Sequence, residues 1–234
     1  MPVELEVKIK EIIQRTYNVK SIRLEVKDEV LFEAGQFLSA TLKPNSQLKR
    51  YLSISNSPTE KGYIEFTKKL TQSDFSQALN NLKVGDLVKI QYPFGNFTLN
   101  PGFKKIAFIS GGIGITPIRS MCKYAVDKGL DIDIILLYAN RTKEDVAFRE
   151  DFAQMQKNHP KLKVVHVLSE PASEFQYKEG RINNQLIKQE TPDYLERKFY
   201  LCGPPAMVEA MERILIGELA LSQENIITEN FQGY

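Results

Sequence analysis

The 234-residue sequence predicts two domains: an N-terminal antiparallel β-barrel followed by a C-terminal α/β domain with a five-stranded parallel sheet. Three observations predict this. Short alternating runs separated by turn signals fill the first hundred residues. Runs rich in Ile, Val and Leu, alternating with helical repeats, fill the remainder. The length suits roughly two ordinary domains, and 42% hydrophobic residues are enough to fill both cores.

In the first part the alternating runs are 4–9, 21–26, 39–42, 63–67 and 87–91, punctuated by Ala34-Gly35, Lys43-Pro44-Asn45 and Val84-Gly85-Asp86. Period-two alternation buries one face of each strand, as antiparallel sheets require. The barrel is expected over 1–98, a linker over 99–104 and the α/β domain over 105–234. In that second domain the runs 106–110, 132–138, 164–168, 199–202 and 226–228 read as strands buried on both faces. Helices between them imply a parallel sheet with right-handed crossovers. Thr142-x-x-Asp145 reads as a capping box for the helix carrying Phe148, Phe152 and Met155.

The sharpest signal follows the run 106–110: Gly111-Gly112-Ile113-Gly114-Ile115-Thr116-Pro117, then Ile118, Met121, Cys122, Ala125 and Val126 at helical spacing. Thr116 is a good N-cap, and Pro117 suits the first helical position, where a missing N–H costs nothing. Glycines without a Cβ let a pyrophosphate approach the backbone amides at the positive end of the helix, which is the physics of a dinucleotide site. Gly112-x-Gly114 alone also fits a tight turn with no ligand, and Pro117 stands where an ordinary Rossmann fingerprint has its third glycine. A second strand-to-helix turn, Cys202-Gly203-Pro204-Pro205, leads into a helix with Val208, Met211, Ile214 and Leu215 on one face. It opens toward the same sheet edge, where open parallel sheets bind ligands.

Composition excludes several classes. A net charge of +2, from 31 basic and 29 acidic residues, gives no electrostatic case for nucleic-acid binding. No apolar run approaches a membrane span, and the first ten residues lack the apolar core of a signal peptide, so a cytoplasmic protein is expected. Two cysteines, Cys122 and Cys202, are too few for an iron–sulfur cluster or a disulfide framework. His159 and His166 read as structural, with no metal site or hydrolase triad around them.

Upstream lie Arg50-Tyr51-Leu52-Ser53 and Pro93-Phe94-Gly95-Asn96-Phe97. Together with the GGIGITP and CGPP turns they form four ordered motifs, over nearly the whole chain, that resemble the ferredoxin–NADP reductase superfamily. The resemblance implies that Arg50 holds a flavin pyrophosphate and that Ser53 hydrogen-bonds at flavin N5. Leu52 replaces the aromatic residue that usually flanks the isoalloxazine, and Tyr51 packs the other way. Thr67, Lys68 and Lys69 would run beside the ribityl chain. Ser73, Phe75 and Ser76 would meet the pyrophosphate at a helix start, with Ser76 as its cap and FAD favoured over FMN.

The same resemblance places Gly111, Gly112, Gly114, Thr116 and Pro117 at the pyrophosphate of NADH or NADPH, and Cys202, Gly203 and Pro204 beside the nicotinamide. Ser169 and Glu170 would meet the adenosine ribose, where an acidic residue modestly favours NADH. Phe231 and Tyr234 are candidates to cover the flavin. The implied activity is transfer of hydride from nicotinamide C4 to flavin N5 and then of electrons to a separate carrier: ferredoxin, flavodoxin, or another iron–sulfur or haem protein. Residues 1–98 carry 14 basic and 11 acidic side chains, and Lys43, Lys49, Lys68 and Lys69 would steer an acidic acceptor. Two alternatives stay open: a reductase that uses free flavin as substrate, and a non-enzymatic flavin-binding subunit. The acceptor and the oligomeric state are not legible.

Overall fold

The computed structural model describes residues 2–26, 30–42, 47–170 and 177–230. The chain divides into two compact units, Met1–Leu99 with Arg119–Tyr124, and Asn100–Ile118 with Ala125–Tyr234.

The first unit contains β1 (Val3–Thr16), β2 (Val19–Glu25), β3 (Phe37–Leu42), β4 (Lys49–Ser53), β5 (Tyr63–Lys69), α1 (Asp74–Asn80) and β6 (Leu87–Phe94). The strands form one antiparallel sheet in the order β4-β3-β6-β1-β2-β5. A bridge from Ile54 to Phe66 ties the chain just past β4 to β5, so the two sheet edges meet around a core that includes Ile22, Leu24, Leu38, Ala40, Phe66, Val88 and Ile90. Strand β1 is longer than its alternating run because it changes partner midway. Val3 to Lys8 pair with β6, whereas Ile9 to Thr16 pair with β2 through two irregularities that break the period. On the other face of β5, the fully buried Glu65 carboxylate accepts from Arg23 Nε at 2.8 Å and from Ser55 Oγ at 2.8 Å, with Arg15 close by at 3.3 Å. Two guanidiniums offset the cost of burying that charge.

The second unit contains β7 (Lys105–Gly111), the two ends of α2 (Ile115–Asp127, whose middle, Arg119–Tyr124, belongs to the first unit), β8 (Asp133–Asn140), α3 (Arg149–Asn158), β9 (Leu162–Leu168), β10 (Tyr177–Glu179), α4 (Asn184–Glu190), β11 (Lys198–Gly203), α5 (Pro205–Arg213) and β12 (Ile226–Asn230). All strand pairs are parallel, in the order β10-β9-β8-β7-β11-β12. Among the described residues the sheet therefore has six strands, not the expected five. The extra one, β10, is three residues long, too short to stand out as a hydrophobic run. Ile109, Leu137, Val165 and Leu201 on one face pack with Ile187 of α4 and with Val208 and Met211 of α5. At the start of the strands the buried Arg197 guanidinium reaches both Asp193 oxygens, at 2.6 and 3.0 Å, and the carbonyls of Ile106 and Asp133. Burial alone would raise the Asp193 carboxyl, but Arg197 and Lys105 outweigh it and hold its pKa at about 2.

Three helix starts differ from expectation. A 3-10 turn, Gly112–Gly114, precedes α2, so Thr116 lies inside the helix and donates its hydroxyl to the Ile113 carbonyl at 3.1 Å instead of capping. The capping box of Thr142 and Asp145 is present but closes only the 3-10 turn Lys143–Asp145. Helix α3 begins after Phe148, a buried residue in the left-handed region at φ 59°, a conformation that nothing in a phenylalanine's chemistry signals in advance. For α1 the cap is Ser73, whose side chain accepts from the Ser76 amide, rather than Ser76 itself.

The parallel register sets Cys202, Ser110, Tyr138, His166 and Tyr177 side by side in one row. Burial, reinforced by Arg149, lowers the His166 pKa from 6.5 to about 4. The unfolded chain therefore takes up this proton at higher pH than the folded one. The stability tied to neutral His166 is complete above about pH 6.5 and is lost as pH falls toward 4, by at most about 3 kcal/mol. Thermal unfolding across that window should show a shallower pH dependence in His166→Phe than in the parent. Equal slopes would remove His166 as the cause.

Candidate active site

In the first unit, the β3–β4 register pairs Leu38 with Leu52 and Ala40 with Arg50, and pairs Phe37 with Ser53 and Ser39 with Tyr51. Arg50 and Leu52 thus share one face of β4, while Tyr51 and Ser53 share the other. Tyr51, 59% exposed, meets the rings of Phe37 and Phe94 edge-on at 5.8 and 6.1 Å. Leu52 packs against the barrel core and Ser53 is buried.

The exposed Arg50 guanidinium lies 5.7 Å from the centroid of Phe75, in the first turn of α1, and donates to the Lys49 carbonyl at 2.8 Å. Burial and the nearby Arg50 charge both lower the Lys68 pKa. The structure thus gathers Arg50, Lys68, Phe75, Ser73 and Ser76 around one helix start, with two cations in mutual electrostatic reach. A diphosphate is the natural counter-charge for such a pair. Thr67 differs from its neighbours. Its hydroxyl is buried between Ser21, at 2.6 Å, and Ser55, at 2.8 Å, so only its backbone is left to meet a ligand. Lys69 is exposed at the end of β5.

In the second unit, β7 and β11 end side by side and their two turns interlock. A Cβ on Gly114 would lie 2.4 Å from the Cys202 carbonyl oxygen and 2.7 Å from the Gly203 Cα. Gly114 is therefore required by backbone packing, not by a ligand's approach. Gly112 is the opposite case: it sits at φ 52°, and a Cβ there would meet nothing within 4 Å. That open, left-handed position at the carboxyl edge of a parallel sheet is the cradle a pyrophosphate needs. Pro117 lies in the first turn of α2, and Pro204 leads into α5 with Pro205 at its start.

Cys202 is fully buried. Burial, then the charge of Glu229, raises its thiol pKa well above the usual value, so it is a neutral thiol and not a nucleophile. Glu229 was not singled out in the sequence. It pairs with Cys202 across β11 and β12, and burial raises its own pKa. Its one sequence signal, an acidic residue in the last predicted run's continuation beside a cysteine-bearing strand, needs the register to be readable. At the end of β9, the Ser169 and Glu170 amides donate to the carbonyls of Asn140 and Arg141, and Arg141 Nε donates to the Glu170 carboxylate at 2.6 Å. Phe231, Tyr234 and Lys43 lie outside the described residues.

An antiparallel barrel followed by a parallel α/β unit with two interlocked strand-to-helix turns defines a class of flavin- and nicotinamide-dependent oxidoreductases. Residues 4–99 match the oxidoreductase FAD-binding domain family, and residues 108–213 match the oxidoreductase NAD-binding domain family. The chain belongs to the ferredoxin–NADP reductase superfamily and is an FAD- and NAD-binding oxidoreductase. It is 29% identical to NADH-cytochrome b5 reductase 2 of Danio rerio, over 81% of this chain and 71% of that protein. It is 32% identical to the flavohemoprotein of Bacillus subtilis, over 86% of this chain but 51% of that protein. It is 28% identical to the glycine betaine monooxygenase reductase subunit of Chromohalobacter salexigens, over 87% of this chain and 58% of that protein. The chain thus spans little more than half of the latter two. Among solved structures, the ferredoxin reductase in carbazole 1,9a-dioxygenase superposes with a TM-score of 0.86 at 27% identity, over 99% of this chain and 70% of that one. The Amycolatopsis cytochrome P450 reductase GcoB shares the fold, with a TM-score of 0.87 at 24% identity, over 99% of this chain and 71% of that one. Among the described residues, no helix is long and apolar enough to cross a membrane.

Proposed function

We propose that this chain is an NADH-favouring reductase that retains FAD and passes electrons from it to a separate protein acceptor. The observation that carries the reading is the open, left-handed Gly112 beside the wedged pair of Gly114 and Cys202. When bound, the two cofactors supply the hydride chemistry, from nicotinamide C4 to flavin N5. The chain's own residues bind and orient. Arg50 and Lys68 neutralise the flavin diphosphate, with Ser73, Phe75 and Ser76 forming the helix start against it. Ser53 holds a hydrogen bond at N5, and the backbone of β5 through Thr67, Lys68 and Lys69 follows the ribityl chain. Gly111, Gly112 and the first turn of α2 receive the nicotinamide coenzyme's pyrophosphate. Cys202, Gly203 and Pro204 bound the nicotinamide pocket with a neutral, apolar wall. Glu229, whose pKa burial raises above the ordinary carboxylate value, is the acidic group next to that wall.

Relatives named as a reductase for cytochrome b5 and as a monooxygenase reductase subunit support a protein acceptor. The test compares ferricyanide, a ferredoxin and free flavin as acceptors for NADH oxidation. A yellow protein with flavin near one per chain, faster with a protein acceptor than with free flavin, is expected. A colourless preparation for which free flavin is the best acceptor would instead establish the flavin-reductase reading, which Leu52 favours because it offers no aromatic face to the ring.

The coenzyme preference rests on the ion pair of Arg141 and Glu170. With Glu170 in place, the carboxylate occupies Arg141 and repels a 2′-phosphate, while it remains able to accept from a ribose 2′-hydroxyl. Glu170→Arg removes the repulsion and releases Arg141, so kcat/KM for NADPH relative to NADH should rise about tenfold. A parent enzyme that already prefers NADPH by that margin would show that Glu170 does not read the ribose.

A further inference from the structure

Tyr138 is wholly buried near the carboxyl end of β8, and burial keeps its phenol protonated. Its ring lies between His166, at 5.8 Å, and Phe152, at 6.5 Å, so the hydroxyl has a fixed place. That hydroxyl donates to the carbonyl oxygen of Gly112 at 3.1 Å. The same carbonyl accepts the Ile115 amide within the 3-10 turn, and the next carbonyl, of Ile113, accepts from Thr116 Oγ1. A peptide group is rigid, planar and trans, so its C=O and the following N–H point in opposite directions. Holding the Gly112 oxygen toward Tyr138 therefore turns the Ile113 N–H away from the sheet interior, beside the Gly112 Cα that has open space in front of it.

We propose that Tyr138 is a positioning residue for the nicotinamide coenzyme: through the Gly112 carbonyl it fixes the Gly112–Ile113 peptide plane so that the Ile113 amide is presented to the pyrophosphate. This rests on the reading that the pyrophosphate sits at Gly112. The hydroxyl acts before the ligand arrives, removing a rotation that binding would otherwise have to freeze. Ser110, the neighbour of Tyr138 across the strand pair, has no hydrogen-bond partner for its own hydroxyl among the described residues and sends nothing to the turn. Among the described residues, the second anchor of the Gly112 carbonyl is the Tyr138 hydroxyl.

Tyr138→Phe keeps the ring and its packing, and Gly112 retains its bond from Ile115, so the variant should fold. ADP-ribose, which has the pyrophosphate but no nicotinamide, is the probe for titration of the full-length protein. Its dissociation constant and the KM for NADH should each rise roughly tenfold in Tyr138→Phe, because binding must then freeze the rotation of the Gly112–Ile113 peptide that the hydroxyl had removed. kcat at saturating NADH and flavin content should stay close to those of the parent, with Tm lowered only by the hydroxyl's lost hydrogen bonds, to Gly112 and with Ala147 and Asn140. A fall in Tm with unchanged ADP-ribose binding would mark Tyr138 as a packing residue and overturn the proposal. Gly112→Asp separates this from the reading beneath it. Aspartate tolerates the left-handed region better than most residues and would place a carboxylate in the open space before the turn. If ADP-ribose binding weakens in Gly112→Asp but not in Tyr138→Phe, the pyrophosphate is where we place it and the role of Tyr138 is wrong. Unchanged binding in Gly112→Asp removes the phosphate from this turn, and the proposal with it.

Discussion

Gly114→Val is expected to abolish reduction by NADH while the protein still carries its flavin. The first branching carbon would fall 2.4 Å from the Cys202 carbonyl oxygen and 2.6 Å from the carbonyl carbon. These are backbone atoms at the end of a buried strand, so no side-chain rotation relieves the clash. Either the turn after β7 or the end of β11 must shift, at a cost of about 1 to 3 kcal/mol or more to the second unit. Both candidate coenzyme contacts, Gly112 and Cys202, move with it. Differential scanning calorimetry should show a lowered transition, and the flavin-to-protein ratio should match the parent. A variant of parental stability that is reduced by NADH at the parental rate would contradict the packing described for these two turns.

Arg50→Ala should give a folded but pale protein. The guanidinium is solvent-exposed and, among the described residues, gives the barrel a bond to the adjacent Lys49 carbonyl and a contact with the Phe75 ring, so stability should change little. Removing a charged hydrogen-bond donor from a diphosphate costs on the order of 1.5 to 3 kcal/mol, or roughly ten- to a hundredfold in flavin affinity. Removing Arg50 also relieves the repulsion that lowers the Lys68 pKa and leaves Lys68 more readily charged, so Lys68→Ala should cost more in the Arg50→Ala background than in the parent. Equilibrium dialysis against FAD measures both. Parental affinity in Arg50→Ala would exclude this arginine from the diphosphate site.

The sequence displays those parts of the fold whose signal is local. The runs now seen as β7, β8 and β11 are nearly continuous hydrophobic stretches because both faces are buried. The glycine-rich and proline-rich turns announce themselves through residues chosen for backbone geometry. What was not legible depends on contacts distant in sequence. Strand β10 is too short to show a period. The partner change in β1 hides half of that strand. Phe148 adopts a left-handed conformation that its side chain disfavours, which moves the start of α3 past the capping box that seemed to define it.

The site divides in the same way. Arg50, the two glycine turns and Cys202 could be read from motifs, but the purpose of each glycine could not. Gly114 and Gly112 look equivalent in the sequence, yet one is wedged against a strand and the other faces open space. Glu229 and Tyr138 carry no motif at all. They become visible only when the register sets Glu229 beside Cys202 and the Tyr138 hydroxyl against the Gly112 carbonyl.

Anaerobic stopped-flow mixing of the flavin-loaded protein with NADH tests the central claim most directly, because it isolates hydride transfer from every question about the acceptor. The flavin's visible absorbance should bleach in a single turnover, at a rate that saturates with NADH. That rate should slow when the transferred C4 hydrogen is deuterium. A protein that holds flavin but is bleached by neither NADH nor NADPH would contradict the account.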